Sequence, residues 1–246
     1  MARCHERHPA AGDSLRAIYQ PVKANSSPHR LRALTRNEVL IVVAMLAVLA
    51  VVFLPMTARS KESARQKQCM AHLKQVGLGF FSWALDSGVD ALPWMTSSNG
   101  GTQKFVESTN VFLHFRAISN ELNTPTILVC PSDSDKTPAN DFNKFDNRNL
   151  SYFINLDPMG NGSCSFSDVA PRRLLSGDRN LTTNGVALGS GVFTLTGRDT
   201  LGWNTAIHKI GPNLLCLDGS VPQMSVQDLQ KQWLGETNTI LRLSVP

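Results

Sequence analysis

The chain has 246 residues, a formal charge of +5, 42% hydrophobic residues and 17% charged ones. Residues 1 to 33 carry six basic and two acidic groups, a net +4, which leaves 18 basic and 17 acidic groups, a net +1, for the remainder. The folded part therefore has no basic surplus for nucleic acid, and no nucleic-acid partner is expected; the length suits one anchor and one globular domain.

The first 29 residues show no sustained period and contain Pro9, Gly12, Pro21 and Pro28, so they read as a leader without a fold. Glu38 is followed by an uncharged, mostly apolar run of twenty residues, Val39 to Ala58. At about 1.5 Å per residue such a helix crosses a hydrocarbon layer of roughly 30 Å. Arg30, Arg32 and Arg36 precede the run, and Arg59, Lys61 and Arg65 follow it. The stretch reads as a single membrane span with the N-terminus cytoplasmic and the C-terminal part exported. An acid at the edge of a span marks a function, which singles out Glu38. Beyond the span, Cys69, Leu73, Val76, Phe80 and Ala84 recur every three or four residues and form an amphipathic face, opposite Lys67, Gln68, His72, Lys74 and Gln75. Ser87-Gly88 is the expected stop. Gly77 and Gly79 are expected to weaken this half of the helix slightly.

The stretch 90–104 reads as a loop. A short helix is expected over Val111 to Leu122, with Val111, Phe115, Ile118 and Leu122 on one face, and a buried strand over Thr126 to Cys130. Strands follow at Leu150 to Leu156, Arg173 to Gly177 and Val192 to Leu195, and the glycines between Gly185 and Gly191 mark a loop. Leu214 to Leu217, Asp218-Gly219 and Ser220 to Gln223 form a hairpin pattern. Ser225 and Asp228 open a helix over Val226 to Leu234, and a last strand covers Ile240 to Val245. The fold class is α+β: a long N-terminal helix packed on a small antiparallel sheet.

Five cysteines are present, none at CxxC spacing, and there is no Cys/His cluster of zinc-ligand spacing, so no metal site is assigned. Cys130 and Cys164 lie in turn-rich sequence and are the candidate disulfide in an oxidising compartment; Cys69 on the helix and Cys216 in an apolar strand read as small buried residues. His208 lies ten residues before Asp218-Gly219. It admits a catalytic reading, with His208 as base or metal ligand and Asp218 as its partner. It also admits a structural one, with Asp218 and Gly219 making the turn and His208 bonding across the hairpin, and this second reading is preferred. A G-x-S-x-G elbow, a Walker A loop and an HExxH helix are all missing from the sequence, so no catalytic residue is assigned and an enzyme is not expected.

The residues Ala33-Leu34-Thr35-Arg36-Asn37-Glu38 and the apolar run after them resemble the N-terminal motif of type IV prepilins and type II secretion pseudopilins. The resemblance implies a leader cut between Ala33 and Leu34, N-methylation of Leu34, and an assembly role for Glu38. The family usually has glycine where this chain has Ala33. His208, Asp218 and Gly219 resemble the H-x9-D-G signature of pseudopilin-like proteins from planctomycete and verrucomicrobial lineages. Cys130-Pro131-Ser132-Asp133, Ser151-Tyr152-Phe153 and Gly177-Asp178-Arg179-Asn180 are similar to blocks of the same proteins.

The implied organisation is a basic leader (1–33), a transmembrane helix half (34–58), its periplasmic continuation (59–88) and an α+β domain (89–246). The implied partners are other pseudopilins and copies of itself in a filament, a prepilin peptidase, the inner-membrane assembly platform and membrane lipid. No cofactor is assigned. Calcium, which major pseudopilins often bind, has Asp133, Asp135, Asp178 and Asp199 as candidate donors without a recognisable spacing. The alternatives are an uncleaved single-pass anchor carrying a periplasmic ligand-binding domain and, more remotely, an anchored hydrolase using His208.

Overall fold

The computed structural model describes residues 35–88, 90–158, 173–209, 211–233 and 240–246, without the side chains of 52–59, 226, 229, 232 and 233. The leader, Ala33, Leu34 and Cys164 lie outside the described residues. The chain divides into two units, Met1–Ala50 and Val51–Pro246.

Helix α1 covers Arg36–Ser87. Its start is fixed by Thr35 and Glu38. The Thr35 hydroxyl accepts from the Glu38 backbone N–H at 3.4 Å, while Glu38 Oε2 accepts from the Thr35 N–H at 3.0 Å and from the Thr35 hydroxyl at 3.1 Å. This is a reciprocal capping box of the pattern Thr-x-x-Glu. The large apolar side chains from Val39 to Val51 are all exposed, by 46% to 73%. Among the described residues no helix is long and apolar enough to cross a membrane.

In the second unit the amphipathic face is found where the spacing puts it: Cys69, Leu73, Val76, Phe80 and Ala84 are buried, and Lys67, Gln68, Lys74 and Gln75 are exposed. A side chain added at Gly79 would lie 2.8 Å from Leu122 Cδ2, and one at Gly77 3.0 Å from Leu215 Cδ1. These two glycines let α1 approach its neighbours closely, so they serve packing and do not simply weaken the helix. The helix expected over Val111 to Leu122 is two short ones, α2 (Phe112–Arg116) and α3 (Ser119–Leu122), with the four predicted apolar residues buried. Thr126 to Cys130 is not a strand. Pro125, which has no N–H to give a ladder, opens a 3-10 turn over Pro125–Leu128, and the Thr124 hydroxyl accepts from Thr126 N–H.

Among the described residues eight strands follow: β1 (Tyr152–Asn155), β2 (Leu174–Asp178), β3 (Leu181–Thr183), β4 (Val186–Ala187), β5 (Gly191–Leu195), β6 (Leu201–Trp203), β7 (Leu214–Cys216) and β8 (Leu241–Val245). They build a five-stranded sheet in the order β5-β8-β1-β2-β7 and a three-stranded sheet in the order β4-β3-β6, with every pairing antiparallel. The coarse class is α+β as expected, with two sheets in place of one. The stretch 185–191 is not wholly loop, because Val186–Ala187 is β4, joined to β3 across Asn184-Gly185 at φ 50° and 80°. An Asn-Gly pair is a strong two-residue hairpin signal.

Successive residues of a strand face opposite ways, so the large sheet has two apolar faces. Tyr152, Ile154, Leu175 and Leu215 join the core of α1, α2 and α3. Phe153, Leu174, Leu214, Cys216 and Leu243 join a second core with Leu181 and Leu201 of the small sheet. Helix α4 (Val226–Trp233) carries the expected cap, with Asp228 N–H donating to Ser225 Oγ at 3.1 Å and Ser225 Oγ donating to Asp228 Oδ2 at 2.6 Å.

Candidate functional site

The blocks that look alike only as short strings in the sequence converge at one end of the large sheet. Cys130 follows the 3-10 turn, Tyr152 begins β1, Asp178 ends β2 opposite Tyr152 in register, and His208 lies between β6 and β7. Cys69 comes from the buried face of α1. Cys69, Cys130, Tyr152, Asp178 and His208 are each fully buried.

Cys130 is disulfide-bonded to Cys69, with 5.3 Å between the Cα atoms and a sequence separation of 61. The pairing expected between Cys130 and Cys164 is therefore corrected. Turn-rich surroundings favoured Cys164, but the apolar spacing that buries Cys69 also aims it at the segment crossing α1. Closing a loop of this length stabilises the fold by about 4 kcal/mol through the unfolded chain. Cys216 is buried in β7, as expected.

His208 does not use Asp218. Its Nε2 lies 3.2 Å from Cys130 Sγ and 3.7 Å from Asp178 Oδ2, and its Nδ1 lies 3.6 Å from Glu62 Oε1 on α1. Asp178 Oδ2 accepts from Asn213 N–H at 2.7 Å and from Asn213 Nδ2 at 3.0 Å. Asp178 Oδ1 and Asn213 Oδ1 have no hydrogen-bond partner among the described residues. Burial pushes the Asp178 carboxyl up to about 7, against the two Asn213 bonds that lower it, and the nearby Asp133 charge adds to the rise. Burial likewise holds the His208 ring below its ordinary value, opposed chiefly by Glu62. Burial, with help from Asp178 and Asp133, raises the Tyr152 hydroxyl well above the usual phenol range.

Asp218 and Gly219 stand apart from this chemistry. Asp218 Oδ1 accepts from Ser220 N–H at 2.9 Å and from Ser220 Oγ at 2.5 Å, Cys216 N–H donates to Ser220 O, and Gly219 takes φ 77°. The turn reading holds, while the second arm of the hairpin reduces to a single bridge between Asn213 and Gln223. Three of the four candidate calcium donors are engaged elsewhere: Asp133 and Asp135 bind Arg179, and Asp199 accepts from Thr196 and Asn184.

Glu62, Cys69 and Asn213 were not anticipated at a site. One signal for them existed. Glu62, Gln66 and Cys69 continue the buried face of α1 upstream at spacings of four and three, with Gln66 buried and donating to Gly211 O at 3.4 Å. Polar residues placed in the apolar register of a helix mark a polar interior neighbour. Chemically, the cluster surrounds one imidazole with groups that accept: a sulfur and a carboxylate at Nε2, a second carboxylate at Nδ1. A neutral ring carries only one proton to share among them. Comparison of the chain with protein-family models, with curated proteins and with solved structures gave no match.

Proposed function

We propose that this chain is a pilin-like structural subunit, a pseudopilin of a type II secretion or type IV pilus-like filament in the bacterial inner membrane. The reading includes leader removal between Ala33 and Leu34, methylation of the new N-terminus, and a domain held on the periplasmic side. The observation that supports it is the split use of one helix. From Cys69 to Ala84, α1 buries its apolar face within its own domain, whereas from Val39 to Val51 its apolar side chains have no cover. In the filament those side chains would be covered by lipid and then by the same segment of neighbouring subunits. Glu38 would meet the N-terminal amine of Leu34 from a neighbour, since a carboxylate in a water-poor core requires an opposite charge.

Glu38 also closes the capping box with Thr35, and the test must separate the two roles. Glu38→Gln retains a residue able to complete the box and removes only the charge. Crosslinking of membrane-embedded protein should give ladders for wild type and mostly monomer for Glu38→Gln, because an unmatched partner costs on the order of 3–5 kcal/mol per subunit. Mass measurement of the extracted chain should find an N-terminus at Leu34. Identical ladders, or an intact Met1, would return the chain to a plain anchor.

A further inference from the structure

The cluster around His208 has the composition of a metal site, with its potential ligand atoms gathered close together. Cys69 Sγ, Cys130 Sγ, one Asp178 oxygen and one His208 nitrogen all lie within 4.8 Å of one another. Ligands of a tetrahedral zinc ion, at about 2.0–2.3 Å from the metal, stand roughly 3.3–3.8 Å apart. The separations from His208 Nε2, 3.2 Å to Cys130 Sγ and 3.7 Å to Asp178 Oδ2, are already at or close to that range. The two sulfurs, joined in the disulfide, would have to part.

We propose that, with Cys69 and Cys130 reduced, these four side chains bind one zinc ion, so that the disulfide and the metal are alternative closures of the same buried centre. The surroundings fit this use. A metal on Nε2 places the ring proton on Nδ1, which faces Glu62 Oε1 at 3.6 Å, just beyond hydrogen-bond distance. A histidine ligand ordinarily has such a carboxylate behind it. Asn213 holds the Asp178 carboxylate in place through Oδ2, the oxygen 3.7 Å from His208 Nε2, and Oδ1 has no hydrogen-bond partner among the described residues. A dication resolves the crowding of acceptors around one ring, and two thiolates with an imidazole favour zinc over calcium or magnesium.

The chemistry balances in two steps. A phosphine reductant attacks one sulfur, the other leaves as thiolate, and water converts the phosphorus to its oxide while supplying the protons of the two thiols. Zinc then displaces both thiol protons to solvent as the metal–sulfur bonds form. This inference does not rest on the filament reading, since it concerns the interior of the second unit alone.

The test uses the full chain, reduced with a phosphine in denaturant and refolded in detergent, with Co2+ as the coloured probe and Zn2+ as competitor. The reduced chain should take up one Co2+ with thiolate-to-cobalt charge-transfer absorption that Zn2+ abolishes, and the oxidised chain should show none. Asp178→Asn and His208→Gln should each weaken Co2+ binding at least tenfold. Glu62→Gln should weaken it about 10-fold or more while keeping the bands. Replacing Cys69 and Cys130 together by serine should remove the charge transfer, and its survival in that double variant would assign the bands to other thiols and overturn the site. Unchanged affinity in Asp178→Asn and His208→Gln would overturn it too, as would absence of the bands in reduced wild type. If the reduced chain loses its far-UV dichroism without metal, recovery on adding Zn2+ supports the site, and failure to recover refutes it.

Discussion

Arg179 grips Asp133 in a fork, Nε to Oδ2 and Nη2 to Oδ1, both at 2.8 Å, and its Nη2 reaches Asp135 Oδ2 at the same distance. The Asp133 side chain is 2% exposed and that of Arg179 22%. Burial by itself would raise the Asp133 carboxyl, but the bonds and charge of Arg179 outweigh it and hold the group below the usual carboxylate range. The backbone N–H of Arg179 also donates to Ser151 O at 2.9 Å, which ties the segments after Cys130, before β1 and after β2 into one corner.

A lysine cannot make this fork. Arg179→Lys should lower the unfolding free energy by about 2 kcal/mol, because one ammonium replaces a planar pair of donors. Arg179→Met should cost more, on the order of 3–5 kcal/mol, by leaving the buried carboxylate without a counter-charge. Urea denaturation of the detergent-solubilised chain measures both. Equal midpoints for all three proteins would show that the ion pair is idle.

The disulfide is the second target. Peptide mapping without reduction should recover Cys69 and Cys130 in one linked species, and Cys164 outside it. Replacing both cysteines by alanine should cost about 4 kcal/mol through the greater freedom of the unfolded chain. A linked Cys130–Cys164 peptide would contradict the packing of α1 against this corner.

His208 and Asp218 should now rank in the reverse of the order their turn pattern suggests. Asp218→Ala removes exposed bonds to Ser220 within one turn and should cost about 1 kcal/mol. His208→Ala empties a fully buried position and leaves Glu62 and Asp178 without their shared neighbour, so a loss of roughly 3 kcal/mol is expected. Thermal melting of the two single variants decides between the orders.

A pH dependence should come from His114, away from this corner. Its ring is buried, with Nδ1 2.7 Å from Thr102 Oγ1, and burial holds its pKa down to about 4. The folded chain therefore binds the proton less readily than the unfolded chain, whose histidine titrates at about 6.5. The stability linked to this group is fully present above about 6.5 and falls as pH drops towards about 4, by roughly 3 kcal/mol. His114→Leu should remove that slope between those two values. An unchanged slope would place the acid sensitivity elsewhere.

What the sequence made legible follows a physical line. Period and local chemistry sufficed for the buried face of α1, for β1, β2, β5 and β8, and for the Ser225–Asp228 cap, since each is written in neighbouring residues. Strands of two or three residues such as β3, β4 and β6 are too short to show alternation, and only the Asn184-Gly185 turn announced them. The corner around His208 was the least legible. Its members come from positions 62, 69, 130, 178, 208 and 213, and nothing local distinguishes Asp178 as the neighbour of His208 from Asp218. The blocks containing Cys130, Ser151 and Asp178 were visible as strings, but the sheet register that brings them together is a long-range property.

That register also sets an order of events. Strand β8 lies inside the large sheet, between β5 and β1, and Ile154 pairs with Ser244, ninety residues further along by subtraction. At a synthesis rate of about 5–20 residues per second, β1 waits roughly 5–20 s before its neighbour exists. Throughout that interval one edge of β1 offers unpaired N–H and C=O groups to any passing strand. The five-stranded sheet is thus completed late, and a nascent chain halted before Leu241 should be the form most prone to aggregate.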